Sequence, residues 1–133
     1  MVEELPLERS RCAISRVLDR LGDKWSLLII RDLLFHQKHQ YLDFLQSQEK
    51  IATNILSQRL KRLCELGLIA ETRHPQFRSR KLYYLTEQGK DLLPILVEMS
   101  LWADKHLPDS EVPISKAESL KFSEDARNTP LDQ

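Results

Sequence analysis

Asn54, Ser57, Gln58 and Lys61 recur at three- and four-residue spacing along the stretch 51–66, IATNILSQRLKRLCEL. On a helix of 3.6 residues per turn they share one side with Glu65, and Arg62 lies just beside them. Such a face carries amides, a hydroxyl and cations, groups that can bond base edges in a major groove or hold phosphates. Thr53, at the start of the helix, borders the same face. Leu56, Leu60 and Leu63 make the opposite stripe, flanked by Ile55 and Leu66, and Gly67 can take the left-handed conformation that ends a helix. Arg59 lies nearer this buried flank, where it would either reach a phosphate or brace the fold. Most solvated helices also have a polar side, so the face acquires meaning only from what surrounds it.

Little else in the chain has the spacing of a chemical site. His36, His39, His74 and His106 are scattered without metal-ligand spacing, so structural or solvated roles are expected and no metal. No nucleophile–base spacing, Gly-rich phosphate loop or paired-carboxylate motif stands out, which argues against an enzyme and calls for no cofactor. Cys12 is the one reactive candidate, because Arg9, Arg11 and Arg16 are close in sequence and nearby cations lower a thiol pKa. The plainer reading, a small residue packed at the start of a helix, stands ahead of it, and Cys64 reads as packing. Trp25 and Trp102 read as core or interface aromatics.

With 133 residues the chain is long enough for one domain with its own core, and a partner subunit would add to its stability. Its 20 basic and 20 acidic side chains cancel, so the total charge does not point to nucleic acid. The distribution is more informative. Residues 53–82 hold seven cations and two anions, a net +5, whereas residues 107–133 hold three cations and six acids, a net −3. A local positive patch is thus hidden in a neutral sum. No leader-like apolar stretch or transmembrane run is present, and two cysteines make no disulfide framework, so a reducing cytoplasm is expected, with no membrane partner.

The elements that must position the polar face follow from periodicity. Residues 1–10 are polar and contain Pro6, an arm expected to be loosely held. A first helix is predicted over residues 11–21, with Ile14, Val17, Leu18 and Leu21 on one side and Gly22 as its stop. Asp23 is a good N-cap for a second helix over 24–35, which offers Trp25, Leu28, Ile29, Leu33 and Leu34 for burial. Residues 41–46 read as a short helix, 47–50 as a turn, and the helix from Ile51 then completes a helix-turn-helix pattern. Two strand-like runs, 68–74 and 80–85, flank a turn-rich break at 75–79, so Arg78 and Arg80 would sit at the tip of a wing, within reach of the sugar-phosphate backbone or a minor groove. Thr86 caps one last long helix, predicted over 87–106, with Leu92, Leu96, Met99 and Ala103 as its stripe and Ile95 and Trp102 alongside. Residues 109–133 read as a polar, disordered or loosely docked tail, against which Ile114, Leu120 and Phe122 speak.

Cys12 and Leu18, LGDKWSLLIIRDLL (21–34), EKIATNILSQRLKRL (49–63), GLI (67–69), YYLTEQG (83–89) and WADKH (102–106) follow one another in an order that resembles the HxlR family of bacterial transcriptional regulators. The resemblance spans residues 12–106, and the GDKW segment together with the I-A-T-N-x-L-x-x-R-L run is its specific part. It implies a winged-helix homodimer that binds operator DNA as a repressor or activator of neighbouring genes. It also implies dimerisation through the first and last helices. Some relatives with a cysteine at the position matching Cys12 sense oxidants or electrophiles through it. The chain departs from the pattern at Lys50, where many relatives have Gly, and at Ala52, where others have Ser, so Thr53 or Asn54 would have to cap the recognition helix.

Together these readings describe a mainly α protein with a small two-stranded β-wing, a winged helix-turn-helix. Residues 1–10 form the arm, 11–108 the DNA-binding and dimerisation domain, and 109–133 the tail. Excess apolar surface on the first and last helices favours a homodimer. The expected partners are double-stranded operator DNA, a second copy of the chain, and a small-molecule or oxidant effector. Asn54, Ser57, Gln58 and Lys61 would face base edges, while Arg62, Arg78 and Arg80 would hold phosphates. Two alternatives stand beside this reading: a winged helix used only for protein–protein contact, and a thiol-based sensor whose DNA output is modulated by Cys12.

Overall fold

Six helices and one β-hairpin make up the structure, a computed structural model that describes residues 8–113. The order is α1 (Ala13–Leu21), α2 (Ser26–Phe35), α3 (Tyr41–Leu45), α4 (Thr53–Glu65), β1 (Ile69–Arg73), β2 (Lys81–Leu85), α5 (Glu87–Lys90) and α6 (Leu93–His106). Strands β1 and β2 pair antiparallel, from Ile69 opposite Leu85 to Arg73 opposite Lys81. This is the winged helix-turn-helix arrangement expected from the periodicity, with most element ends within two residues of their predicted places.

The core lies where α2, α3, α4 and the base of the hairpin meet. Leu56, Leu60 and Leu63 of α4 are buried to 0–1% exposure against Ile29, Ile30, Leu33, Phe44, Ile69 and Tyr83. Burying one such leucine is worth about 1.5–3 kcal/mol, so this stripe anchors α4 firmly. Its C-terminus is closed as Gly67 predicts. Gly67 adopts φ +78°, Leu68 N–H donates to the Leu63 carbonyl (3.0 Å) and Gly67 N–H to that of Cys64 (3.0 Å), a Schellman motif. Asp23 likewise caps α2: its carboxylate accepts from the N–H of Trp25 (3.1 Å) and Ser26 (3.0 Å) and from the Ser26 hydroxyl (2.6 Å).

Two features of this framework were not expected. Tyr83 N–H donates to the His39 carbonyl (2.8 Å), His39 Nδ1 lies 2.9 Å from the Tyr83 carbonyl, and Gln40 forms a β-bridge with Leu82. The segment between α2 and α3 thus lies along the hairpin and ties the wing to the helical body. Second, the long last helix is broken. Pro94 has no N–H to give the Lys90 carbonyl and its ring would collide with it, so α5 stops at Lys90 and α6 begins at Leu93. Thr86 caps α5 as predicted, accepting from Gly89 N–H at 3.1 Å while its hydroxyl donates to the Gly67 carbonyl at 2.6 Å. Gly89 is required by close packing: a Cβ there would stand 2.1 Å from the Leu68 carbonyl oxygen.

The outer helices leave much of their apolar sides uncovered, in line with the excess apolar surface expected on them. On α1 only Leu21 is buried, while Ile14 (72%), Leu18 (53%) and Val17 (40%) are exposed. On α6 Leu96 and Val97 are buried, but Met99, Trp102 and Ile95 are not. Of the arm, residues 8–10 are described; Glu8 and Arg9 are tied to α1 through ion pairs, Glu8 with Arg16 (2.8 Å) and Arg20 (3.2 Å), Arg9 with Asp19 (2.5 Å). Of the tail, residues 109–113 are described, with the Ser110 hydroxyl donating back to the Leu107 carbonyl (2.8 Å). The readings for 1–7 and 114–133, with Pro6, Ile114, Leu120 and Phe122, lie outside the described residues.

Candidate nucleic-acid interface

The turn that launches α4 is built around a buried carboxylate. Asp32, 2% exposed, accepts from Arg31 Nε (3.0 Å) and the Ser47 hydroxyl (2.6 Å), and Lys38 Nζ lies 3.6 Å away. Arg31 then forks onto Glu49 with two bonds of 2.7 and 2.9 Å. That fork holds the Glu49 carboxyl down at about 2 and outweighs the upward push of its partial burial. Next in line, Lys50 is held at φ +56°, a left-handed conformation that costs a non-glycine residue about 1–2 kcal/mol. Lys50, one of the two positions at which the chain departs from the pattern it resembles, is therefore a left-handed turn residue.

Helix α4 starts without a side-chain cap. Ala52 occupies the N-cap, and neither Thr53 nor Asn54 supplies the bond expected of it. Support comes instead from α3, a contact the sequence did not suggest. The Tyr41 hydroxyl donates to the Thr53 carbonyl at 2.8 Å, and the Ser57 hydroxyl lies 3.2 Å from Tyr41 Oη. Tyr41 carries no periodic signal for this role, being one aromatic of a short helix.

Thr53, Asn54, Ser57, Gln58 and Lys61 are all exposed along one side of α4. Arg59 and Arg62 are half-buried and turn back into the body. Arg59 Nε bonds Asp23 (2.9 Å), and an Arg62 nitrogen donates to the Asp19 carbonyl (2.9 Å). These bonds tie α4 to the α1–α2 corner. Burial raises the Asp23 carboxyl, but bonds from Ser26, Trp25 and Arg59 outweigh it and hold the group below its ordinary range.

Beyond α4 rises the wing. Arg73, Arg78, Arg80 and Lys81 are exposed at its outer end. The tip is ordered by its own contacts: His74 Nδ1 accepts from the N–H groups of Gln76 and Phe77 (3.1 Å each), and the Arg80 guanidinium lies 4.8 Å from the Phe77 ring centre. Between wing and α4 runs an open groove of about 850 Å³, bordered by Tyr41, Ser57, Lys61, Cys64, Arg80 and Lys81 among others. Lys81 contributes to the +5 segment, yet only the folded hairpin reveals that it borders this groove, as Glu65 and Glu71 also do.

The cysteines separate as well. Cys64 is half-buried, and burial pushes its thiol up. Cys12 is exposed, so it is not a packed residue within the described chain. Its thiol is pulled below the ordinary value by the backbone N–H groups of Ser15 and Ile14 at the start of α1. Two of the three cations expected to act on it are engaged elsewhere, Arg9 with Asp19 and Arg16 with Glu8.

Three comparisons place this arrangement among known proteins. The chain is 35% identical over 101 residues to an uncharacterized HTH-type transcriptional regulator of Mycobacterium tuberculosis, matching 76% of this chain and 63% of that one. The chain thus spans under two thirds of that relative's length. Among solved structures, a candidate transcription factor, PA1607, superposes with a TM-score of 0.69 at 34% identity, covering 78% of this chain and 72% of the other. The diamide-treated regulator YodB of B. subtilis superposes with a TM-score of 0.55 at 25% identity, covering 74% of this chain and 96% of the other. Residues 20–111, well over half of the chain, match the family model of the HxlR-like helix-turn-helix. The capped α2, the left-handed turn at Lys50, α4 and the wing all lie within that match, and the chain belongs to the HxlR-like helix-turn-helix family.

Proposed function

We propose that the protein is a transcriptional regulator that binds operator DNA as a homodimer, with α4 in the major groove and the wing on the adjoining backbone. The observation that carries the reading is the shared border of one groove by the exposed polar side of α4 and the cationic end of the wing. Asn54, Ser57, Gln58 and Lys61, with Thr53 at the helix start, meet base edges, while Arg78 and Arg80 hold phosphates. Arg59 and Arg62 serve by bracing α4, since their bonds to Asp23 and the Asp19 carbonyl are already made. The exposed apolar faces of α1 and α6 supply the seam between two copies. No described helix is long and apolar enough to cross a membrane.

The test is a gel shift with DNA upstream of the protein's own and adjacent genes. Affinity should fall steeply with salt, and Arg78→Ala with Arg80→Ala should flatten that dependence by about two in slope. Asn54→Ala or Gln58→Ala should instead alter sequence preference. Binding to none of these promoters, or binding indifferent to salt, would favour a winged helix used for protein contact alone.

A second reading is favoured by the exposed, acidified Cys12 thiol and by likeness to a regulator whose diamide-treated form was solved. Oxidation of Cys12 at the α1 seam would shift the two recognition helices relative to one another and so change operator affinity. Operator affinity with and without diamide is the measurement, and Cys12→Ser should abolish the response while Cys64→Ser keeps it.

A further inference from the structure

We propose that Tyr41 turns Ser57 into an acceptor-only reader, so that Ser57 selects an amino-bearing base, adenine or cytosine, over a keto-bearing one. The inference rests on the reading of α4 as the base-facing helix and deepens it. It begins with proton bookkeeping at three oxygens. Tyr41 Oη lies 2.8 Å from the Thr53 carbonyl and 3.2 Å from Ser57 Oγ. A carbonyl can only accept, and a phenol has a single proton, so that proton goes to Thr53. Ser57 must then be the donor in its bond to Tyr41. Its one proton is spent inside the protein, and what the exposed Ser57 oxygen offers outward is lone pairs.

A free serine hydroxyl rotates to suit its neighbour and can bond any base, which makes it a poor reader. A serine locked as an acceptor is different. In the major groove the donors on base edges are adenine N6 and cytosine N4, while guanine N7 and O6 and thymine O4 only accept. Opposite guanine or thymine, the Ser57 oxygen would face another acceptor with no proton between them. The same tyrosine also fixes the first turn of α4, which has no side-chain cap. Position and polarity of the reader are thus set by one residue that itself lies on α3 and borders the same groove.

The experiment is selection from a random duplex pool by full-length wild type, Tyr41→Phe, Ser57→Ala and Ser57→Thr, with the fold of each checked by circular dichroism. One position in the wild-type half-site should prefer amino over keto bases by about fivefold, the value of one net hydrogen bond. Tyr41→Phe should bring that ratio close to one there and leave other positions unchanged. Ser57→Ala should flatten the same position, and Ser57→Thr, which keeps the hydroxyl, should retain the preference. If Tyr41→Phe weakens all sequences alike with every ratio kept, Tyr41 is a structural support and the inference is wrong. Should Tyr41→Phe fail to fold, the Ser57→Ala comparison decides: a lost amino preference supports the proposal, a lost keto preference or no change overturns it. A wild type that enriches no sequence would instead remove the DNA-binding reading itself.

Discussion

Helices α1 and α4 are written in the same code and end in opposite circumstances. Each carries apolar residues at three- and four-residue spacing with charged groups opposite. On α4 the stripe Leu56, Leu60, Leu63 is sealed at 0–1% exposure, whereas on α1 Ile14 remains 72% and Leu18 53% exposed. Periodicity reports that a helix has a side to bury, but not which chain will bury it. For α4 the cover comes from α2, α3 and the hairpin. For α1 and the outer side of α6 no described residue provides it, and we assign that cover to a second copy.

Point substitutions test this contrast, beginning with the deepest site. Leu60→Ala should cost about 3 kcal/mol at every protein concentration, by lost burial plus the cavity left behind. Leu18→Ala should cost less than about 0.5 kcal/mol in dilute protein. Chemical denaturation across a concentration series separates them, and an equal, concentration-independent loss for Leu18→Ala would erase the distinction. On α6 the two circumstances lie one turn apart. Leu96 is buried and Met99 is half exposed, so Leu96→Asp should unfold the domain while Met99→Asp should leave a folded monomer in light scattering.

Smaller effects belong to the turn between α3 and α4. Glu49→Gln removes the fork to Arg31 and should destabilise the domain by about 1 kcal/mol at neutral pH, a value kept small because the pair is partly solvated. The sign with pH follows from the lowered Glu49 carboxyl. Its contribution is complete above the ordinary value of 4.5 and fades as pH falls toward about 2. Thermal melts of wild type and variant should therefore converge in acid; a gap that persists there would show that the fork is not its source. Last, Lys50→Gly should raise stability by up to about 1 kcal/mol, because the strain at φ +56° exceeds the added backbone entropy of glycine. A variant less stable than wild type would mean that the Lys50 side chain contributes more than its backbone strain costs.

What could be read from the chain alone was whatever depends on neighbours in sequence. Gly67 announced a left-handed helix end, Asp23 and Thr86 announced caps, and the leucine spacing placed the buried side of α4, because each is a matter of one to four residues and the geometry of a single turn. Even the break at Pro94 was legible in principle, since a proline inside a helical pattern removes a donor wherever it stands. Tertiary structure decided the rest. That Arg59 and Arg62 turn inward depends on Asp23 and the Asp19 carbonyl lying beneath them, 36 and 43 residues away in sequence. That Tyr41 meets Thr53 and Ser57, and that His39 holds the wing, depends on how α3 and the segment before it are laid across α4 and β2. Such partners are fixed by packing angles between elements, and a hydrogen-bonding side chain carries no mark in the sequence of which distant carbonyl or hydroxyl it will find.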